Sequence, residues 1–194
     1  MKKTLFVGAI FCLSLGATNA AVVFSGTSGD LDFDSNSGSF TSGGITVTLT
    51  ANSGALVNAT TSAGLGVNSP GGGDDSDGLD TQSGVETLTF SFDMDVTLNS
   101  ITYIEVGSND ALDLSFNGIA GPTVTASGQV TYDTVLLAGE TLVITAAETN
   151  SPTPNNGVPI TQFTVTAIPE PSTFALLGLA GMVAIFRRRI NYPQ

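Results

Sequence analysis

The sequence contains no histidine or tryptophan, a single cysteine, and only five basic residues against 17 acidic ones. The basic residues lie at the two ends, Lys2 and Lys3 and then Arg187–Arg189, so Ala21–Ala167 has no Lys, Arg, His or Cys. A segment without positive charge cannot neutralise phosphates, which argues against nucleic acid as a partner. Without cysteine pairs there is no disulfide framework, and stability must come from a hydrophobic core or from bound ions.

The same absences leave little material for catalysis. A Ser-His-Asp triad, a cysteine thiolate, a Schiff-base lysine and a histidine-ligated zinc are all excluded within Ala21–Ala167. What remains is a pair of carboxylates of the kind that glycosidases use. By residue type the candidates are Glu86, Glu105, Glu140 and Glu148, with Glu105 placed on the apolar side of a predicted strand. We expect that the protein is not an enzyme, and a carboxylate-pair glycosidase is the remote alternative.

The first 20 residues have the pattern of a secretory signal peptide. Lys2 and Lys3 precede an apolar stretch, Leu5–Leu15, and the segment ends in Ala-Thr-Asn-Ala, with small residues at the usual positions for cleavage after Ala20. Cys12 would suggest a lipoprotein, but the bulky Phe11 before it and its early position argue against that. The sequence therefore predicts a signal peptide over 1–20 and an exported domain over 21–167.

The last 27 residues combine a proline triplet, an apolar run and a basic stop. Pro169, Glu170 and Pro171 hold the chain extended, because proline fixes φ and disfavours helix in the residue before it. The apolar run Phe174–Phe186 spans about 20 Å as a helix, and with the preceding residues we expect a transmembrane helix over about 172–186. Arg187, Arg188 and Arg189 then form a basic tail that stays in the cytoplasm.

This ordered set resembles the PEP-CTERM sorting signal of exported bacterial proteins, over about Ile168–Arg189. The resemblance implies that Pro169, Glu170 and Pro171 are recognised by an exosortase, a membrane cysteine peptidase-transferase. It also implies an inner-membrane-anchored precursor that is then delivered to the cell surface or to an exopolysaccharide matrix. An ordinary single-pass anchor is the alternative.

The exported segment reads as an all-β domain, because apolar and polar residues alternate in several short runs. The clearest runs are Ile45–Thr50, Leu88–Phe92, Leu112–Phe116, Leu142–Ala146 and Phe163–Ala167, and less regular ones are Val22–Phe24, Leu31–Phe33, Val96–Val106 and Val130–Leu137. Glycine-containing turns separate them. The spacing predicts an antiparallel β-sandwich of jelly-roll type between the signal peptide and the C-terminal transmembrane helix.

One loop, Ala63–Gly84, is rich in glycine and aspartate. Asp75, Asp77 and Asp80, with Glu86 at the start of the next strand, offer the hard oxygens that calcium prefers. An EF-hand is excluded, because Asp80 stands where the motif needs glycine. Two interpretations stay open: an irregular calcium site built on these residues, and a solvated acidic loop, which is the commoner outcome for charged, glycine-rich segments.

Together the patterns predict a non-enzymatic, exosortase-sorted protein of the cell surface or exopolysaccharide matrix, with calcium as its candidate stabilising ion. The alternative is a calcium-assisted carbohydrate-binding module of that matrix. Sugar-binding platforms usually use Trp or Tyr, and only Tyr103 and Tyr132 lie in the exported segment, so the aromatic content does not argue for this alternative.

Overall fold

A computed structural model describes residues 20–33, 35–52, 54–60, 63–70, 78–82, 84–149 and 157–169 of the chain. These residues form β-strands and one turn of 3₁₀ helix at Gly29–Leu31, with no α-helix among them. The strands are β1 (Ala21–Ser25), β2 (Ser37–Ser42), β3 (Ile45–Ala51), β4 (Leu56–Ala59), β5 (Leu65–Asn68), β6 (Thr87–Phe92), β7 (Val96–Tyr103), β8 (Asp110–Phe116), β9 (Ile119–Val124), β10 (Gly128–Leu136), β11 (Thr141–Glu148) and β12 (Ile160–Ala167).

The strands pair into two antiparallel sheets. The first sheet has the order β10-β7-β12-β5-β4, and β1 also pairs with β12 beyond the end of β5. The second has the order β2-β3-β6-β11-β8-β9. From β5 to β12 the chain changes sheet after every strand except at the β8–β9 hairpin, which stays in the second sheet. The resulting orders, β5-β12-β7-β10 and β6-β11-β8-β9, are those of a jelly roll. The expected all-β, antiparallel fold is confirmed.

The alternating runs predicted from the sequence bury one side chain in two. In β3 the buried residues are Ile45, Val47, Leu49 and Ala51, whereas the threonines between them are half-buried. Strands β6, β8, β11 and β12 likewise contain their predicted runs. Because side chains alternate across a strand, each such run gives a sheet one apolar face and one hydroxyl-rich face.

The apolar faces of the two sheets contribute to one shared hydrophobic cluster, in which three phenylalanines connect the sheets. Phe24 of β1 stacks on Phe163 of β12, with ring centroids 4.7 Å apart and planes inclined by 4°. Phe90 of β6, in the other sheet, meets Phe163 edge-on at 5.2 Å. These rings therefore link the first and the last strand to the opposite sheet.

Two of the predicted turns close tight hairpins. Gly43 and Gly44 join β2 to β3 with φ of 57° and 81°, and Asn117 and Gly118 join β8 to β9 with φ of 47° and 78°. Positive φ at both central residues defines a type I′ turn, which matches the twist of the flanking strands.

Some expectations were wrong. Leu31–Phe33 is not a strand: Leu31 ends the 3₁₀ turn and its side chain is buried in the core. The segment Ala63–Gly84 is not a loop throughout, because β5 lies within it at Leu65–Asn68 and pairs with β4. Strands β2, β4 and β9 were also not predicted, and each lies at the edge of a sheet.

Candidate functional site: the sorting signal and the acidic loop

The predicted sorting motif begins where the last strand ends. Strand β12 is central, paired with β7 on one side and with β1 and β5 on the other, and its final residue Ala167 lies opposite Val96. The Ile168 amide donates a hydrogen bond of 2.8 Å to the Asp95 carbonyl. Pro169, which follows, is exposed. The folded domain is thus connected to the motif with a single intervening residue.

The rest of the predicted signal lies outside the described residues: Glu170, Pro171, the helix over about 172–186, and Arg187, Arg188 and Arg189. The signal peptide over 1–20 is likewise outside them, apart from Ala20, which is exposed. Within the part of the chain that the structure describes, no helix is both long enough and apolar enough to span a membrane. The transmembrane helix stays a prediction.

Both predicted processing points lie at the same end of the domain. Ala21, the first residue after the expected signal-peptide cleavage, pairs with Thr166 in the β1–β12 ladder. Partners across such a ladder are about 5 Å apart, so the chain enters the domain beside the place where it leaves towards Pro169. We call this the exit end, and it also holds the turns between β2 and β3, β6 and β7, β8 and β9, and β10 and β11.

Two aspartates in the β6–β7 turn, not singled out from the sequence, organise the exit end. The Asp95 carboxylate accepts the Ala138 amide at 2.8 Å, and so connects Ile168 to the β10–β11 turn. The Asp93 carboxylate accepts the Thr46 amide at 2.9 Å and secures the neighbouring hairpin. An Asp-x-Asp sequence between two alternating runs is a turn signal, but the partners of its side chains come from distant parts of the chain.

The described part of the acidic loop lies at the opposite end, which we call the loop end. Leu79 forms a β-bridge with Val158, just before β12 begins. The eight residues of β12 separate this end from the exit end by about 26 Å. Asp75 and Asp77 lie outside the described residues, whereas Asp80 and Glu86 are both described.

Asp80 and Glu86 are buried, with 2% and 0% of their surfaces exposed. They pair reciprocally: the Asp80 amide donates to Glu86 Oε2 at 2.9 Å, and the Glu86 amide donates to the Asp80 carbonyl at 3.1 Å. Asp80 Oδ1 also accepts the Gln82 amide at 2.8 Å. The structure therefore brings these two of the four predicted ligands together, with one oxygen of each carboxylate holding the loop backbone.

The base of the acidic loop depends on close backbone packing between glycines. A Cβ on Gly66 would lie 2.5 Å from the Gly78 amide nitrogen, and a Cβ on Gly78 would lie 2.6 Å from the Val158 amide nitrogen. Since real Cβ atoms do not approach so closely, these positions need glycine. Gly66 and Gly78 therefore have a packing role: they allow the backbones of β5, the acidic loop and the start of β12 to lie in direct contact.

The metal prediction is neither supported nor contradicted by these contacts alone. Among residues 20–169, apart from the undescribed gaps, no group of three or more Asp, Glu, His or Cys side chains lies close enough together to hold a metal ion. The predicted set of Asp75, Asp77, Asp80 and Glu86 includes two residues outside this description. Calcium stays a prediction for the loop end.

Of the glutamates considered for acid–base chemistry, Glu86 and Glu148 lie at the loop end, whereas Glu140 lies at the opposite end of the domain. Glu140, at the exit end, accepts the Leu137 amide and the Asn117 side chain, whereas Glu148, at the loop end, accepts the Thr81 hydroxyl at 2.7 Å. Glu105 lies beyond the end of β7, is exposed, and has a φ of 58°. The expectation that Glu105 continues the apolar face of its strand was therefore wrong.

The two tyrosines of the exported segment form a hydroxyl pair, in which Tyr103 is buried and Tyr132 is half-buried. The Tyr103 and Tyr132 oxygens are 2.8 Å apart, and the Tyr132 ring packs against Phe116. Burial, with a smaller contribution from the neighbouring Tyr132, raises the pKa of Tyr103 far above its ordinary value. Burial also raises the pKa of Tyr132, although its hydrogen bond to Tyr103 opposes this. With Tyr103 fully buried, it cannot serve as a stacking platform for a sugar.

The outer face of the second sheet is covered with hydroxyl groups. At its β2–β3 edge three cross-strand hydroxyl pairs lie side by side: Ser37–Thr50 at 2.8 Å, Ser39–Thr48 at 2.7 Å and Thr41–Thr46 at 2.9 Å. At its other edge, an open groove of about 390 Å³ is lined by residues that include Asp113, Ser115, Gly121, Thr123 and Thr145. This groove presents a carboxylate and several hydroxyl groups on one open surface.

Comparison with known families matches the PEP-CTERM protein-sorting motif to residues 167–189. The chain carries a PEP-CTERM sorting signal. The match begins at the last residue of β12 and ends at Arg189, so it includes the proline triplet, the apolar run and the three arginines. It identifies an exported protein that is sorted to the cell surface by an exosortase. No curated protein and no solved structure matches the chain.

Proposed function

We propose that the PEP-CTERM protein is a non-enzymatic component of the cell surface or exopolysaccharide matrix, delivered there as a jelly-roll sandwich over residues 21–167. The observation that carries the proposal is the sorting motif at residues 167–189, attached directly to a central strand of the domain. Because the described β-domain reaches the motif with no intervening domain, we infer that this domain is what the exosortase releases.

The position of both ends supports a precursor that is held to the membrane at one end. Ala21 and Thr166 are direct partners, and Pro169 follows closely. From Ile168 to the expected start of the membrane helix at about 172, four extended residues reach at most about 14 Å. In the proposed precursor the exit end therefore lies close to the bilayer surface, and the loop end points away from it.

The residue types of the domain support a role without catalysis. Residues 21–167 contain no Lys, Arg, His or Cys. Of the candidate glutamates, Glu86 shares the loop end with Glu148, but its side chain is fully buried and its Oε2 holds the Asp80 amide. Glu140 and Glu148 lie at opposite ends of β11. General acid–base catalysis by two carboxylates needs both groups on one substrate, about 5–10 Å apart. Strand β11, with eight residues, is longer than that separation.

We also propose that calcium stabilises the loop end. Two carboxyl groups, Asp80 and Glu86, are buried beside each other there, and the sequence of residues 21–167 contains no basic residue. Burying charge is costly unless it is compensated, and a divalent cation with oxygen ligands would compensate it. Asp75 and Asp77 are the further ligands that the sequence predicts for this site.

A test of the sorting role replaces the glutamate of the motif. In cells that contain the exosortase, we expect wild-type protein to lose its C-terminal segment and to appear at the surface. Glu170→Ala should remain a full-length, membrane-associated precursor, as shown by mass spectrometry and fractionation. Glu105→Ala is the matched control, because Glu105 is exposed and lies outside the motif. Equal processing of wild type and Glu170→Ala would contradict the proposal.

The second candidate function is binding of a polysaccharide in the matrix, and the hydroxyl-lined groove at β8 and β9 supports it. Thr123 donates to Asp113 in this groove at 2.5 Å, so that a carboxylate and several hydroxyls face one open surface. A glycan array, with and without calcium, would separate the two functions. Binding that is lost in Asp113→Ala but kept in Glu105→Ala would favour the second.

A further inference from the structure

The last residues before the sorting motif are held in the sheet from both sides. Ala167 lies opposite Val96 of β7, and Thr166 lies opposite Ala21 of β1. The Ile168 amide continues this pattern through its 2.8 Å bond to the Asp95 carbonyl. Pro169 has no amide hydrogen and cannot extend the ladder. The boundary between the folded domain and the exosortase substrate therefore falls between Ile168 and Pro169.

Asp95 fixes this boundary through two of its groups. Its carbonyl accepts the Ile168 amide, while its carboxylate accepts the Ala138 amide at 2.8 Å in the β10–β11 turn. The side-chain bond restrains the orientation of the Asp95 peptide and so of the carbonyl that holds Ile168. Ile168 is itself half-buried, whereas Pro169 is exposed.

A peptidase cleft commonly binds the chain around its target bond as an extended strand, through backbone N–H and C=O groups. Residues whose backbone groups are already paired within a sheet cannot offer them to the enzyme. The stretch that remains from Pro169 to the expected membrane helix is only a few residues long, so the enzyme has little free chain to bind. Release of Ile168 would lengthen this stretch without unfolding a whole strand.

We propose that Asp95 is a positioning residue for the exosortase reaction: it holds Ile168 in the sheet, and the Ile168–Asp95 bond must open before the signal is processed. This inference rests on the sorting function proposed above. When opening precedes processing, weakening the bond raises the fraction of open precursor and the rate of processing by the same factor. Losing one ordinary hydrogen bond corresponds to about a fivefold change.

The experiment follows the full-length precursor by pulse-chase in cells that contain the exosortase. Asp95→Ala removes the carboxylate that accepts Ala138 but keeps the carbonyl that holds Ile168, so we expect processing to be faster than in wild type, by at most about fivefold. Asp95→Asn keeps an oxygen acceptor and should restore a rate near wild type. Asp93→Ala is the matched control, because it removes a hydrogen bond of similar length from the same turn, the one between the Asp93 carboxylate and the Thr46 amide. This bond has no connection to Ile168, so the processing rate should stay near wild type.

Two further measurements separate positioning from general loss of stability. Hydrogen–deuterium exchange of the purified precursor should be faster at Ile168 in Asp95→Ala, by about the factor seen in processing, and unchanged there in Asp93→Ala. Inserting Gly-Ser-Gly-Ser between Ile168 and Pro169 lengthens the free chain without altering the folded domain, and should also speed processing. If Asp95→Ala fails to fold, this insertion decides the question.

Several outcomes would overturn the inference. One is a wild-type or slower rate in folded Asp95→Ala, and another is a wild-type or slower rate in the insertion variant. A third is an equal acceleration in Asp93→Ala, which would indicate general loosening of the exit end. Glu170→Ala, followed in the same experiment, keeps the two proposals distinct. If Glu170→Ala blocks processing while Asp95→Ala changes nothing, only the positioning role fails. If Glu170→Ala is processed like wild type, the sorting function itself fails.

Discussion

Replacing Phe163 by alanine should remove a large part of the stability of the exported domain. Phe163 is 1% exposed, stacks on Phe24 and meets Phe90 edge-on, so that one side chain joins β12 to β1 and to the opposite sheet. Truncating a buried phenylalanine costs about 3–5 kcal/mol, against a total stability of about 5–15 kcal/mol for a typical domain. With a urea slope of about 2 kcal/mol/M, a loss of 4 kcal/mol lowers the midpoint by about 2 M.

The assay is urea unfolding of recombinant residues 21–169, followed by far-ultraviolet circular dichroism. Phe40→Ala is the control, because Phe40 is half-buried on the edge strand β2 and meets Phe24 edge-on, with ring centroids 6.2 Å apart; we expect a loss of about 1 kcal/mol. A double-mutant cycle of Phe24 and Phe163 should give a coupling of about 0.5–1.5 kcal/mol. If Phe163→Ala costs no more than Phe40→Ala, the assignment of Phe163 as the link between the sheets is wrong.

Three further predictions concern residues 21–169 in solution. Millimolar calcium should raise the melting temperature and millimolar magnesium should do so less; the absence of any calcium shift in a thermal melt would exclude the proposed ion. Burial raises the phenol pKa of Tyr103 and Tyr132 in the folded state, so their contribution to stability is complete below the ordinary tyrosine pKa of 10.0 and is lost as the pH rises above it. Tyrosinate absorbance should therefore appear together with alkaline unfolding. Ionisation of these tyrosines in the folded protein near pH 10 would contradict their burial. Gly78→Ala should destabilise by more than about 2 kcal/mol in urea unfolding, whereas Gly29→Ala, whose Cβ would meet nothing within 4 Å, should change little.

The strands that could be predicted are those with one face in the core. Ile45–Thr50 and Leu88–Phe92 alternate visibly because every second side chain is buried. Strand β2 has no such signal: it is an edge strand of serine, glycine and threonine with Phe40 as its only large apolar residue. Strand β9 is exposed along nearly its whole length. Both are held by cross-strand hydrogen bonds, and backbone pairing of this kind leaves no trace in hydrophobic periodicity.

The candidate sites divide in the same way. The sorting signal is continuous in the chain, so its triplet, apolar run and arginines could be recognised from their order alone. The exit end is assembled from separate segments, and the contact of Ile168 with Asp95 depends on how β12 and β7 pair. At the loop end the sequence predicted a cluster of carboxylates, but not that Asp80 and Glu86 would be buried and would hold each other's backbone.

The position of β12 also connects folding to sorting. In the proposed precursor, export begins at the predicted signal peptide, so β1, β5 and β7 would be outside the membrane before β12 emerges. Since β12 lies between β7 on one side and β1 and β5 on the other, the first sheet cannot be completed until Ala167 has emerged, directly ahead of the sorting signal. Phe163 then closes the core against Phe24 and Phe90. In the proposed precursor, the domain would therefore complete its fold while it is still attached to the membrane at its exit end, and the strand that completes the fold would be the one that precedes the sorting motif.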